Sequence, residues 1–327
     1  MGFTGHRGHT RLAQIPFAGK RRCMSYSNTR LIPSFNRPPS KVAIRAIASY
    51  ESDVEAILWE TLQEFDLPVQ GKSVLLKPNF VEPDPEGVIN TNPMVIRAAR
   101  EAFLRMGAKS VIVAEGPGHE RDTEGIVEVL RLRDYIGPLD RAFVDLNIDE
   151  VTEVPTRTQA SKLKSLSLPK TVLGADFVVS MPKMKTHHWV GVTLSLKNMF
   201  GIVPGSCYGW PKNALHWAGI SKSILDINGT VRPDFAIVDG IVGMEGNGPI
   251  QGTPKAAGVL VAGDDPVAVD ATCARIMGLA PERIDYLKRA ALLLGNMQEE
   301  KIQQLGETIA NTQTPFEVLP TFQKLCA

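Results

Sequence analysis

Basic and amide side chains follow two short apolar segments, at the points where each segment ends. The first segment, residues 73–77, runs into Lys77, Pro78 and Asn79. The second, residues 176–181, is followed by a basic group: Lys183, Lys185, His187 and His188. Ammonium groups attract carboxylates and phosphates, and a desolvated lysine has its pKa lowered so that it can act as a base or nucleophile. The two segments predict an anion site, although a single lysine at a strand end is usually a solvated charge.

The histidines allow two kinds of chemistry. His187 is a candidate general acid or base, because imidazole titrates near neutral pH. His216, together with His187 or His188, could hold a metal ion, since neutral imidazole is a common ligand. The spacing of these residues matches no standard metal motif. A structural role is the alternative for each of them.

Lys197 and Asn198 stand out because the segment around them, residues 191–201, is otherwise apolar and rich in small residues. Lys197 is predicted to contact an anion or to be a covalent attachment point, and Asn198 to bind the ligand. The other interpretation is a lysine whose stem lies along its apolar neighbours and whose charge reaches water.

Acidic candidates follow in a glycine-rich segment and in a helix. Residues 240–252 predict a flexible loop without the ending of a phosphate-binding P-loop, and Asp239 and Glu245 are its candidate acids. Asp265 precedes a proline and is predicted to cap a helix. Asp270 has apolar neighbours, so it is predicted to pair with a lysine of the site or to form a structural ion pair.

Strands and helices alternate along the chain, which predicts an α/β fold. Short β-branched runs predict strands at residues 41–48, 73–77, 110–115, 176–181, 235–239 and 257–262. Helical periods occur at residues 53–65, 94–106, 214–227 and 266–277, and from residue 194. Such alternation predicts a mostly parallel, helix-covered sheet with ligands at the carboxyl ends of its strands. A polar stretch suggests two α/β lobes with a cleft between them, at residues 39–150 and 151–295, followed by an extension at 296–327.

The first part of the chain has a different composition. Residues 1–50 contain no Asp or Glu and several Arg and Lys, without the apolar core of a secretory signal. Residues 1–38 are therefore predicted to be a disordered basic leader for organellar import, or an over-extended gene start with Met24 as initiator. The predicted location is the cytoplasm, or an organelle if the leader is genuine.

Composition narrows the function classes. The chain has 327 residues, of which 43% are hydrophobic, so it can fill a substantial core. Its net charge of +1 gives no reason to expect a nucleic acid or a membrane surface as partner. The four cysteines form no C-x-x-C pair, and no apolar run is long enough for a membrane span.

Five strings, in this order, resemble the family catalogued as domain of unknown function 362: residues 75–79, 181–187, 195–201, 237–249 and 262–270. The resemblance extends over about residues 41–291. The family is largely uncharacterised and sometimes occurs in iron–sulfur proteins, whose members carry an added C-x-x-C-x-x-C segment. Because this chain lacks that segment, the resemblance implies an iron–sulfur or redox partner rather than a cluster on its own cysteines.

A weaker resemblance links residues 187–197 and the following Pro204-Gly205 to the nickel-pincer lactate racemases. It implies that His187 exchanges the substrate proton or hydride and that Lys197 attaches a nucleotide-derived cofactor. It also implies that His216 ligates nickel. The Gly-Gly-Arg that precedes the lysine in those enzymes is Leu194-Ser195-Leu196 here.

Three hypotheses for the function follow. In the first, the protein is an enzyme for a small anionic substrate, or one that binds an anionic cofactor, and its chemistry is racemase-like or redox-like. In this hypothesis His187, Lys197 and Lys185 are catalytic. The second is a non-catalytic accessory protein of an iron–sulfur or redox system. The third is an anion-binding module whose affinity falls with salt. We favour the enzyme because acids, amides, lysines and histidines cluster at strand exits.

Overall fold

Strands and helices alternate through most of the chain in a computed structural model, which describes residues 37–85, 87–118 and 122–327. The strands are β1 Ser40–Ala46, β2 Ser73–Pro78, β3 Ser110–Glu115, β4 Phe143–Asp145, β5 Val151–Pro155, β6 Ser165–Pro169, β7 Phe177–Met181, β8 Lys183–His187, β9 Gly191–Thr193, β10 Phe235–Asn247, β11 Gln251–Gly263 and β12 Ile302–Gly306. The predicted leader lies outside the described residues, apart from positions 37 and 38.

The helices lie between the strands. They are α1 Val54–Leu62, α2 Pro93–Arg105, α3 Thr123–Val129, α4 Leu132–Ile136, α5 Leu139–Ala142, α6 Lys170–Gly174, α7 Ser195–Asn198, α8 Gly205–Tyr208, α9 Asn213–Trp217, α10 Ile220–Thr230, α11 Pro266–Ile276, α12 Asp285–Leu293 and α13 Ile309–Thr312. Short 3-10 helices occur at Met199–Ile202, Pro281–Arg283, Glu299–Lys301 and Pro320–Leu325.

One large sheet organises the fold. Its main path runs in the order β12-β1-β11-β10-β7-β2-β3-β4, and β8 joins through β10 and carries β9. Most pairs are parallel, while β1–β11, β10–β11 and β8–β9 are antiparallel. The short pair β5–β6 forms a separate sheet. The predicted α/β class and the mostly parallel, helix-covered sheet are confirmed.

The two predicted lobes share this sheet. β7 belongs to the second predicted lobe and pairs in parallel with β2 of the first, with Leu75 opposite Val178. The carboxyl ends of β2, β3 and β7 therefore meet at one edge. The expected cleft between two separate lobes is replaced by a pocket along that edge, and the boundaries after residues 150 and 295 stay predictions.

Both faces of the sheet are covered by apolar side chains. In β2, Val74 and Leu76 belong to the core under α1 and α2, whereas Leu75 points into the core under α10 and α11. This alternation follows from the two-residue period of a strand. Since every residue of β2 is buried, any charged side chain at its end is held among protein groups.

Polar side chains cap the first turns of three helices. The side chains of Asp53, Asn92 and Asp265 accept backbone N–H groups at the starts of α1, α2 and α11. Pro93 and Pro266 occupy the first turns of the last two helices, where a missing N–H costs nothing. The predicted cap at Asp265 is confirmed.

The glycine-rich segment is a hairpin, so the predicted flexible loop at residues 240–252 is wrong. β10 continues to Asn247, and β11 returns from Gln251. At Gly243, an added Cβ would lie 2.6 Å from the backbone oxygen of Met184, so this glycine serves close packing against β8. Glycines that allow strands to approach closely look like loop glycines in the sequence.

The helix predicted over residues 214–227 is divided. Gly219 has a φ of +97°, which ends α9 and starts α10 at a new angle. The helical stretch predicted from residue 194 is limited to the single turn α7 and the 3-10 turn after it. Among the described residues, none of the helices has the length and apolar character needed to cross a lipid bilayer.

Candidate active site

A pocket of about 590 Å³ opens at the carboxyl edge of the sheet. It lies where β2, β3 and β8 end, beside α7, α9 and the tip of the β10–β11 hairpin. Its polar lining includes three lysines, three histidines and three asparagines: Lys77, Lys197, Lys212, His187, His188, His216, Asn79, Asn198 and Asn247. Apolar side chains complete it, among them Phe80, Trp189, Phe200 and Ile250. A mixed lining of this size suits a small organic ligand.

Lys77 forms the polar base of the pocket with two partners. Its buried ammonium forms an ion pair with Glu115 and donates to Asn198 Oδ1 at 3.0 Å. The amide of Asn198 in turn donates to the backbone oxygen of Lys77 at 3.0 Å. Burial lowers the pKa of Lys77, and the charge of Glu115 opposes that shift. Gly201 has no room for a side chain, because a Cβ there would overlap Glu115 and Lys77.

Lys197 is presented by α7 and differs from Lys77. Its Nζ lies 4.2 Å from the centre of the Phe200 ring, a cation–π contact. Among the described residues no group forms a hydrogen bond or ion pair with this amine. Burial and then the charge of Lys77 lower the pKa of Lys197 to about 8, while Glu115 opposes the shift. The amine therefore changes its protonation state near physiological pH.

Lys212 approaches the same place from the loop before α9. Its Nζ donates to the backbone oxygens of Gly116 at 2.7 Å and Phe200 at 2.9 Å. Burial lowers the pKa of Lys212 to about 7; Glu115 raises it, and Lys77 and Lys197 lower it further. The residue has a φ of +67°, a left-handed conformation that is uncommon outside glycine. This backbone directs a buried amine at two carbonyls that line the pocket.

His187 and His188 have opposite tautomers. The backbone N–H of Trp189 donates to His187 Nδ1 at 3.1 Å, so the proton of the neutral ring lies on Nε2. His188 Nδ1 lies 2.8 Å from the backbone oxygen of Gly248, which only accepts, so Nδ1 carries the proton and Nε2 is left as an acceptor. Burial, followed by the charge of Lys197, holds the pKa of His187 well below its ordinary value. The pair offers the pocket one donor and one acceptor.

His216 completes the imidazole group from α9. Its ring packs 4.8 Å from that of Trp189 and 6.1 Å from that of Phe200. Burial and then the charge of Lys197 lower the pKa of His216 to about 4, so the ring is neutral. In the described part of the chain no three His, Cys, Asp or Glu side chains are grouped as metal ligands. These donors do not fit a metal held by protein side chains alone; a metal here would need a cofactor that brings further ligands.

Two buried polar atoms in the pocket wall lack partners. Asn79 Oδ1 and Thr193 Oγ1 have no hydrogen-bond partner, although both residues line the pocket. A buried acceptor without a donor costs about 1–3 kcal/mol, so such atoms mark places where a ligand or a water supplies the bond. A ligand with a donor near Asn79 would remove that cost.

The family model for domain of unknown function 362 matches residues 74–275, and these residues carry every side chain of the pocket described above. The chain belongs to this family. A thylakoid-associated protein from Synechocystis sp. is 31% identical to the DUF362 chain over 220 residues. The alignment covers 65% of each protein, so the chain spans less than two thirds of that relative.

Two solved structures show a weaker similarity. A Thermotoga maritima protein has 14% identity and a TM-score of 0.39, over 59% of the DUF362 chain and 50% of that protein. The lactate racemase apoprotein from Thermoanaerobacterium thermosaccharolyticum has 14% identity and a TM-score of 0.40, over 64% and 51%. The second is an enzyme of the class named by the weaker sequence resemblance.

The structure brings together seven of the residues singled out from the sequence of this chain. These residues line one pocket: Lys77, Asn79, His187, His188, Lys197, Asn198 and His216. Lys183 and Asp239 lie elsewhere, in a closed cluster. Lys183 Nζ lies 3.0 Å from Asp239 Oδ2 and 2.6 Å from the Tyr50 hydroxyl, which donates to Asp239 Oδ1 at 2.7 Å. The charges of Lys183 and Asp239 compensate each other within this cluster, and none of its side chains lines the pocket.

Lys185 and Glu245 are also outside the pocket lining. Lys185 Nζ donates to the backbone oxygen of Ile89 at 2.7 Å, and burial, followed by the charge of Lys183, lowers its pKa well below the ordinary value. Glu245 pairs with Lys255 at 3.1 Å and accepts from the backbone of Glu317. Lys185 connects the loop after β2 to the sheet, and Glu245 connects the hairpin to the end of the chain.

Asp270 pairs with backbone rather than with a lysine. Its two oxygens accept the backbone N–H groups of Ser195 at 2.7 Å and Leu196 at 3.0 Å, at the start of α7. Burial raises the pKa of Asp270 to about 8, and the two N–H groups oppose this shift. Asp270 thereby fixes the turn that presents Lys197 and Asn198, and the predicted ion pair is not formed.

Sequence reasoning missed two residues of the pocket. Glu115 is the last residue of β3, and the strand-exit rule that selected Lys77 also applies to it. Lys212 lies in a turn between Trp210-Pro211 and α9, where no strand exit or periodic pattern marks it. Only the return of the chain over Gly116 and Phe200 shows that its amine enters the pocket.

Proposed function

We propose that the protein is an enzyme that binds a small carboxylate or phosphate compound in the pocket at the carboxyl edge of the sheet and transfers a proton on it. Lys197 and Lys212 contact the anion. His188 accepts the proton through Nε2, and His187 donates a hydrogen bond through Nε2 to the oxygen on which charge develops.

The bare amine of Lys197 carries this proposal. Lys197 is partly buried in the pocket wall. A lysine that loses part of its hydration normally gains a carboxylate or carbonyl partner in compensation. Lys77 has such partners, whereas the Lys197 amine lies over the face of Phe200 and has no hydrogen bond or ion pair with any described residue. An anionic ligand supplies the missing partner and makes the protonated form favourable.

The two histidine tautomers support the proton-transfer step. General base catalysis needs an unprotonated nitrogen within reach of the substrate, with its other nitrogen held by a fixed acceptor. His188 has this arrangement through the Gly248 oxygen, whereas Nδ1 of His187 is already occupied by the Trp189 N–H. His188 therefore replaces His187 as the proposed base, and His187 becomes an electrophilic partner.

Proton transfer is tested by exchange in deuterated water. The full chain is incubated with a panel of small carboxylates and phosphates, and deuterium at carbon is measured by mass spectrometry. We expect exchange on at least one compound, a large loss in His188→Asn, and a smaller loss in His187→Asn. The asparagine amide can keep the bond to the Gly248 oxygen, so His188→Asn removes the base and retains the local fold.

Lys288→Met is the matched control, because Lys288 is exposed on α12 and lies outside the pocket lining. Its exchange rate should equal that of the unmodified chain. A panel without exchange, or exchange that survives in His188→Asn, contradicts the proposed proton transfer.

A further inference from the structure

The arrangement of Lys197 and Lys212 bears on the charge of the ligand. Both amines lie at Phe200: one over its ring at 4.2 Å, the other 2.9 Å from its backbone oxygen. Both residues line the same pocket. Lys212 uses two of its three donors on carbonyl groups, which carry no net charge, and Lys197 uses none. Two amines therefore face one space, and among the described residues neither has a hydrogen-bonded counter-ion.

Glu115, the carboxylate whose charge acts on both lysines, is already engaged. Glu115 pairs with Lys77 and accepts the backbone N–H groups of Gly116 at 2.9 Å and Phe80 at 3.3 Å. Its oxygens are thereby occupied. Asp145 also acts on Lys212 but accepts the backbone N–H of Asn147. No described carboxylate forms an ion pair with Lys197 or Lys212.

We infer that the natural ligand carries a doubly negative head group, a phosphate monoester or a dicarboxylate, that bridges Lys197 and Lys212. The inference rests on the proposed function and specifies its substrate class. A singly charged group would leave one of two neighbouring ammonium groups uncompensated in a desolvated place. A dianion pairs with both and has enough oxygens for the donors that Lys197 and Lys212 leave unused.

The rest of the pocket indicates what else the ligand contains. A volume of about 590 Å³ is much larger than a phosphate or carboxylate group, and the wall away from the lysines includes Trp189 and Ile250. The dianionic head group is therefore attached to an organic body that contacts this wall.

Protonation gives an independent signature. Lys212 has a pKa of about 7 and Lys197 a pKa of about 8. Without a ligand, both amines are therefore incompletely protonated at slightly alkaline pH. The charged groups that act on these amines are Lys77, Glu115 and Asp145. His187 and Lys185 also act on Lys197, and His216 acts on both amines. A bound dianion raises both lysine pKa values, so its binding takes up protons from the buffer.

The test compares probes that share a ring and differ in charge. Binding of phenyl phosphate, phenylmalonate and methyl phenyl phosphate is measured by titration calorimetry at about pH 7.5, where the phosphate monoester is doubly charged. The first two are dianions of different chemistry, and the third is a monoanion. We expect one dianion to bind about tenfold or more tightly than methyl phenyl phosphate, with proton uptake seen in buffers of different ionisation enthalpy. The tighter dianion identifies the head group as phosphate or dicarboxylate.

Variants assign the preference to the two lysines. Lys212→Gln keeps amide donors for the carbonyls of Gly116 and Phe200 and removes the charge, so it should fold and lose the preference for the dianion. Lys197→Gln should weaken all three probes. Lys288→Met should bind like the unmodified chain.

The outcomes separate the two proposals. Equal affinity for monoanion and dianion, with binding still lost in Lys197→Gln, overturns the dianion inference and leaves the proposed anion site standing. Absence of binding of all three probes, or binding that is indifferent to Lys197→Gln, contradicts the anion site itself. A dianion preference that persists in Lys212→Gln also overturns the inference, because the second charge then lies elsewhere.

Discussion

Lys183 and Lys197 are two lysines whose ammonium groups have opposite surroundings in the structure. Lys183 lies between Asp239 and Tyr50, at 3.0 Å and 2.6 Å, and its charge is fully compensated. Lys197 lies partly buried in the pocket wall, over the ring of Phe200, and no described residue gives it a counter-ion. Lys183 is the more deeply buried of the two, so depth of burial does not identify the functional lysine. The partners of each amine separate the structural charge from the one that awaits a ligand.

The difference also has a structural consequence. The Lys183 cluster joins three parts of the fold, because Asp239 lies on β10, Lys183 on β8 and Tyr50 in the segment after β1. Asp239 additionally accepts the backbone N–H of Asn92, the cap of α2. Removing a member of this cluster should damage stability, whereas removing the Lys197 amine should damage ligand binding.

The largest expected effect is on the closed cluster. Asp239→Ala leaves the Lys183 ammonium buried without a counter-ion and removes the acceptor of Tyr50. We expect a loss of about 3–5 kcal/mol in unfolding free energy, measured by denaturant titration. A loss below about 1 kcal/mol would show that Lys183 finds water or another partner, and the contrast with Lys197 would then disappear.

Asp270 tests how the Lys197 region is held. Asp270→Ala removes the acceptor of two buried N–H groups at the start of α7, so we expect a loss of about 2–3 kcal/mol in unfolding free energy. Asp270→Asn retains one acceptor oxygen and should lose less. Both variants should weaken phenyl phosphate binding while they remain folded, because α7 no longer fixes Lys197. Unchanged affinity in folded Asp270→Ala would show that the turn holds without it.

Lys197→Met tests whether Lys197, unlike Lys183, serves ligand binding rather than stability. No described hydrogen bond is lost, and the apolar methionine packs against Phe200. We therefore expect the unfolding free energy to stay within about 1 kcal/mol of the unmodified value or to rise. Affinity for phenyl phosphate should fall about tenfold or more in the same protein. Clear destabilisation without a binding defect would place Lys197 with Lys183 among structural lysines.

The smallest expected effect is a pH dependence. The pKa values of Lys212 and Lys197 are lowered to about 7 and about 8, so both amines lose their protons as the pH rises through this range. The anion binds the protonated forms. Affinity for phenyl phosphate should therefore decrease gradually from about pH 7 to about pH 9 in calorimetric titrations. Constant affinity over this range would contradict the lowered lysine pKa values.

Most of the fold could be predicted from local sequence patterns. The apolar strand before Lys77 and the cap Asp265 are specified by near neighbours, and both were confirmed. The hairpin at residues 240–252 was not predicted. Its Gly243 is needed for close packing against β8, which is distant in the sequence. The single sheet likewise depends on the pairing of β7 with β2, which no local pattern contains.

The candidate site was predicted only in part. The rule that side chains at strand ends form the site correctly placed Lys77, Asn79 and His187 in the pocket. The same rule was wrong for Lys183, because this lysine forms an ion pair with Asp239 outside the pocket. Lys212 reaches the pocket because its own backbone is left-handed, and no pattern in the sequence predicts this conformation. The opposite tautomers of the neighbouring histidines are set by backbone groups of Trp189 and Gly248. The sequence alone does not show these contacts.

The titration of the Lys197 amine tests the central claim most directly. The full chain is labelled at its lysines, the Lys197 signal is assigned by its loss in Lys197→Arg, and its chemical shift is followed against pH by NMR with and without phenyl phosphate. A bare amine in the pocket should titrate with a pKa of about 8 and move upward when phenyl phosphate binds. A midpoint near the ordinary lysine value of about 10.4, unchanged by phenyl phosphate, would contradict the claim that Lys197 is a desolvated amine that binds an anion.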